Sequence, residues 1–149
     1  MTNDHELIGA FHEAALCAEE GLLVDALHKF REIRDADPQG PLADDAQVNL
    51  SLCYLYMHQY ELANTEFDRV LRDYPDGTIH APESDGEHGR TAAKALYGKT
   101  LCALAIGDVE AAKSSVEELE QFPDSYVMTD GEPVTFHTLA NRAVAERNK

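Results

Sequence analysis

Five residues that could do chemistry crowd into the stretch "HAPESDGEH", residues 80–88: His80, Glu83, Asp85, Glu87 and His88. Two imidazoles and three carboxylates form a donor set suited to a divalent cation. A polar segment of an acidic chain assembles such a set by composition alone, however. "SDGEHG" also lacks the alternating oxygen ligands and terminal glutamate of a helix–loop–helix calcium site. The seven histidines include no HExxH motif and no pair four residues apart. No GxxxxGK[ST], GxGxxG or GxSxG motif occurs either. The expectation is therefore a chain with no catalytic residues, no cofactor and no bound metal.

Cys17, Cys53 and Cys102 are odd in number, far apart and without a CxxC pair, which argues against a disulfide framework or a zinc site. Each sits among apolar residues, so a buried, inert thiol is expected. A chain of 149 residues suits one domain, and a domain of that size buries about 68–70% of its unfolded surface. The net charge of −16 is spread along the chain. Such a surface repels phosphate backbones and anionic lipid, which argues against nucleic acid or a membrane as partner and leaves basic partners open. No apolar run is long enough to span a bilayer. The start, "MTNDHELIGAFHEAAL", has neither a basic n-region nor a continuous apolar core, so a cytoplasmic location is expected.

What must position these residues is legible in a spacing. Ala26 is followed by Phe30, Ile33 and Pro38, Ala63 by Phe67, Val70 and Pro75, and Ala112 by Val116, Leu119 and Pro123. Before each alanine stand Leu23, Tyr60 and Val109, then Gly21, His58 and Gly107, then the small residues Ala14, Ser51 and Thr100. Residues four and seven past an alanine share its helical face. The proline stops that helix and the glycine position ends the preceding one. The pattern predicts helical hairpins that cross at paired small residues. Helices are expected near 5–20, 23–36, 44–57, 60–74, 90–106 and 109–122, with Asp44 or Asp45 capping the third. Asp76–Thr91 reads as an inserted loop, rich in Gly, Pro, Ser and Asp. A seventh helix is expected near 133–147, with Pro133 in its first turn and Val134, Phe136, Leu139, Ala140, Ala143 and Val144 largely on one side.

This series resembles the tetratricopeptide repeat, whose period is about 34 residues. The resemblance covers about residues 7–123, in copies near 7–40, 44–77 and 93–123. It implies an all-α, right-handed superhelix of three hairpins in a single domain, closed by a C-terminal capping helix. His58 stands where the family has glycine, Glu13 and Lys99 where it is usually apolar, and the third proline is displaced by one. The endings "YPDG" and "FPDS" look most like a bacterial subgroup whose exported members act in envelope assembly and cell-division coordination.

The resemblance further implies a non-enzymatic interaction module with a concave groove for a peptide or helix of a partner. Mapped by register, that groove would hold Phe11, Ala15, Val48, Asn49, Leu52, Tyr56, Lys94, Tyr97 and Leu101. Carboxylates such as Glu19 and Asp45 around it would favour basic flanks on the partner. Family members that clamp a terminal carboxylate use lysine, asparagine and arginine, and only Asn49 and Lys94 match. Self-association as a homodimer, or the C-terminal helix folding back, would also cover an apolar groove. The alternative is a small acidic cytosolic chaperone of the type III secretion translocator kind. Those chaperones usually carry a longer N-terminal extension than the residues before Leu7.

Overall fold

The computed structural model describes residues 4–80 and 86–147. Among them, seven helices run in the order α1 Asp4–Glu19, α2 Leu23–Ala36, α3 Ala43–Tyr56, α4 Tyr60–Asp73, α5 Thr91–Ile106, α6 Val109–Leu119 and α7 Phe136–Arg147. Successive helices pack on each other as three hairpins, and α7 lies against α5 and α6. The fold is an all-α superhelix of consecutive hairpins closed by that last helix. Among the described residues, no helix is long and apolar enough to cross a membrane.

The turn inside each hairpin is the same object made three times. At the end of α1, the Gly21 N–H donates to the Ala18 carbonyl and the Leu22 N–H to the Cys17 carbonyl. His58 and Gln59 repeat this on Leu55 and Tyr54, and Gly107 and Asp108 repeat it on Leu104 and Ala103. These are paired i−3 and i−5 bonds that require a left-handed residue just past the helix. Gly21 and Gly107 adopt it at φ 82° and 83°, and His58 is forced into it at φ 62°.

Past the turns, the crossing residues close the hairpins. Ala14 with Ala26, Ser51 with Ala63, and Thr100 with Ala112 all have zero exposure. The stripes beyond them are the core: Phe30 and Ile33 in the first hairpin, Phe67 and Val70 in the second, Val116 and Leu119 in the third. The last stripe is completed by Phe136 and Ala140 of α7. Cys53 and Cys102 are buried as expected, whereas Cys17 is half-buried.

Two expectations need correction. The C-terminal helix begins at Phe136, not at 133, because Pro133 and Val134 lie in a strand. Strand β2 Tyr126–Thr129 and strand β3 Glu132–Thr135 form an antiparallel hairpin, and β1 Glu87–His88 pairs with β2 on its other side. The two-residue turn is Asp130–Gly131, both at positive φ (53° and 82°), as a tight hairpin turn needs. The segment read as a loop is therefore partly a strand. Its ends are also pinned together, since the Ile79 N–H donates to the Gly89 carbonyl and the Thr91 N–H to the Gly77 carbonyl. The second correction concerns α3, whose N-cap is Leu42 with no side-chain cap bond. Asp44 and Asp45 sit inside the first turn, both buried.

Gly98 on α5 faces Phe67, and a Cβ there would collide with the Phe67 ring, itself fully buried. Gly98→Ala is expected to cost about 1–3 kcal/mol, the usual range for overpacking a filled core. Gly9 lies in α1 with nothing near a new Cβ, so Gly9→Ala is expected to stabilise by about 0.5–1 kcal/mol. Urea unfolding of the two variants checks both signs. Equal midpoints would refute the packing of α5 on α4.

Candidate functional site

The first helix of each hairpin turns one stripe toward the inside of the superhelix. From α3 the stripe is Asn49, Leu52, Cys53 and Tyr56, spaced three, four and seven residues along one face. From α1 it is Ala15, Ala18 and Glu19, and from α5 it is Lys94 and Tyr97. These stripes enclose an open cavity of about 570 Å³, within the range of about 300–1,000 Å³ usual for binding clefts. Phe30 of α2 contributes as well. So do three residues outside the repeated hairpins: Glu87 of β1, Val127 of β2 and Phe136 at the start of α7.

Of the residues expected in the groove, Ala15, Asn49, Leu52, Tyr56, Lys94 and Tyr97 line the cavity. Three others lie elsewhere. Val48 has zero exposure and belongs to the core with Ala63, Phe67 and Val70, because one residue of helix turns the side chain about 100° away from Asn49. Leu101 packs against that same core. Phe11 is 6% exposed and sits edge-on to Phe30, ring centres 5.5 Å apart. Its other neighbour is the ring of His80, at 5.8 Å.

The cavity wall carries one ion pair. Lys94 Nζ donates to Glu87 Oε2 at 2.9 Å, and the lysine side chain is only 11% exposed. The neutral amide of Asn49 turns back on its own helix and donates to the Asp45 carbonyl at 2.8 Å. Tyr56 is 59% exposed, and its phenol is held above the ordinary range by the surrounding protein, then by Tyr97 and Glu87.

Behind the wall lies a buried acidic pair. Asp45 is 2% exposed, and its Oδ1 accepts from the His80 N–H at 2.9 Å. Burial and then the charge of Asp44 push the Asp45 carboxyl up to about 8. Asp44 is raised as well, chiefly by burial, with the Thr91 hydroxyl beside it pulling the other way. Lys94 lowers and Glu87 raises the value at Asp45. Asp45 is therefore no rim carboxylate that could meet a partner's basic flank.

The described donors of "HAPESDGEH" go to separate neighbours. His80 packs on Phe11, Glu87 holds Lys94, and His88 lies against Tyr126 with ring centres 5.2 Å apart. Glu83 and Asp85 lie outside the described residues. Among the described residues, no group of three or more His, Cys, Asp or Glu could hold a metal ion. Burial pushes the Cys53 and Cys102 thiols up to about 11, so both stay protonated at neutral pH.

With this geometry in view, residues 45–77 match the family model of the tetratricopeptide repeat. That match falls on the second hairpin, α3 and α4. Comparison with curated proteins gives no match.

Glu87, Val127 and Phe136 were not expected at the site. The available signal was "TDGE" between alternating residues, since Asp-Gly flanked by such a pattern marks a hairpin. The hairpin brings Val127 to the cavity and gives β1 a strand to pair with.

Because Asp45 binds its proton more tightly folded than unfolded, it stabilises the fold fully below about pH 4, and this is lost as pH rises toward 8. Asp45→Asn keeps an oxygen for the His80 N–H and cannot ionise. Its advantage over wild type is expected to grow by up to about 1.4 kcal/mol per pH unit across that window. Parallel stability–pH curves for the two proteins, from urea unfolding, would show that Asp45 is not the group responsible.

Proposed function

We propose that the chain is a cytoplasmic protein–protein interaction module whose concave cavity receives a helix or extended segment of another protein. The tetratricopeptide repeat is a protein-binding repeat, and the chain carries one at residues 45–77. The observation that carries the reading is the convergence of α1, α3 and α5 on one cavity with two tyrosines, Tyr56 and Tyr97, on its wall. Large aromatic side chains are the usual anchors of such interfaces. Three free thiols, two of them buried, suit a reducing compartment.

A chaperone holding an apolar segment would use the same cavity. The wall favours a more selective partner, since Glu19, Glu87 and Lys94 put charge among Ala18, Leu52 and Val127. A second copy of the chain is the other occupant to test.

The test uses the partner recovered by affinity capture and then purified. Tyr56→Ala and Tyr97→Ala, singly, are expected to weaken its binding by about 1–3 kcal/mol, with the melting temperature little changed. Unaltered affinity in the double variant, measured by calorimetry, would place the binding surface elsewhere. Sedimentation of the free chain decides whether the cavity is instead covered by self-association.

A further inference from the structure

We infer that the cavity seats one cationic side chain of the partner segment, a lysine or arginine, between the phenols of Tyr56 and Tyr97 and against the carboxylate of Glu19. This rests on the cavity being the partner site, and it names the chemistry of the occupant.

Among the described residues, the charged side chains of the wall are Glu19, Glu87 and Lys94. Lys94 is already answered, because Glu87 accepts from its ammonium at 2.9 Å. An incoming carboxylate would have to break a partly buried, charge-assisted hydrogen bond before gaining its own. An anionic partner residue therefore finds no free cation among the described wall residues.

A cation finds the reverse. Glu19 is exposed, and no described residue pairs with it. Glu87 and Lys94 cancel, which leaves the described wall residues at one net negative charge in a chain of net charge −16. Tyr56 is 59% exposed beside the cavity, with Tyr97 across from the same space. The negative face of a phenol ring attracts an ammonium or guanidinium. The methylenes of lysine or arginine would lie along the apolar side chains of Leu52 and Val127, as such stems do on apolar surface.

The experiment selects peptides from a random displayed library on the full chain and measures each synthetic peptide by fluorescence anisotropy. Selected peptides are expected to share one lysine or arginine beside apolar residues, and changing it to glutamine should weaken binding about tenfold or more. Glu19→Gln and Tyr97→Leu should each weaken it by about three- to tenfold, while paired Glu117→Gln and Glu118→Gln on α6 should change it less than about twofold. Three results would overturn the inference. Binding that depends on Tyr97 but survives loss of the peptide's basic residue removes the cation seat and leaves the cavity as the partner site. An equal loss from the α6 pair shows attraction to general surface charge. Peptides indifferent to both tyrosines, or no selected peptide at all, count against the seat and the partner site together.

Discussion

Everything in this molecule depends on how closely two helices can approach where they cross. At each of the three crossings both residues are small and have zero exposure: Ala14 with Ala26, Ser51 with Ala63, Thr100 with Ala112. Small side chains let the backbones come near, and the larger residues one and two turns away then interdigitate at interior density. Two of the six carry hydroxyls, which would be costly if left unbonded in such a place. Ser51 donates to the Gln47 carbonyl at 2.7 Å and Thr100 to the Leu96 carbonyl at 2.9 Å, so each is satisfied within its own helix. The crossings fix the second helices on the outside and free the inner faces of α1, α3 and α5 to form the cavity.

Polar contacts then join one hairpin to the next. Arg34 of α2 donates to Gln47 of α3 at 2.9 Å, and Gln47 in turn donates to Glu66 of α4, on both its carboxylate and its carbonyl. Gln47 has zero exposure, so this chain of bonds runs through the interior of the junction. A wrong stacking angle would strand a guanidinium and an amide away from water, and such groups are costly to leave unpaired. The inserted segment is fastened the same way, by His80 to Asp45 and by Glu87 to Lys94. It is held at a helix start on one side and at the cavity wall on the other.

The hairpins are legible in the sequence because their determinants are local. An alanine, an aromatic and an aliphatic at helical spacing give the face, and a glycine or proline gives the end. Even the departure at His58 obeys the register, as that residue adopts the left-handed turn its glycine counterparts adopt. The groove is legible only in part. Ala15, Asn49, Leu52, Tyr56, Lys94 and Tyr97 follow from register, but Val48, Leu101 and Phe11 do not, since the division between inner face and core is a matter of tens of degrees around a helix. Asp44 and Asp45 look like helix caps because that is what aspartate does near a helix start. Their burial is set by the segment around Gly77 to His80, whose return path no local spacing reveals. The sheet pairs Glu87 with Val127 across a large sequence separation, and only the Asp130–Gly131 turn announces any part of it.

A division of labour follows from where the unexpected wall residues come from. The repeated hairpins contribute shape, because their crossings and turns are alike and their inner faces are mostly aliphatic or aromatic. The segments that do not repeat add Glu87, Val127 and Phe136. Glu87 neutralises Lys94, so part of the electrostatic character of the cavity comes from an insertion. Removing Glu87 would leave Lys94 without its 2.9 Å partner and would set Glu19 against Lys94, so the described wall would lose its net negative charge. Hairpins that share the same inner face thus differ in the charge of their wall through the insertion between them, with no change in the helices that build the cavity.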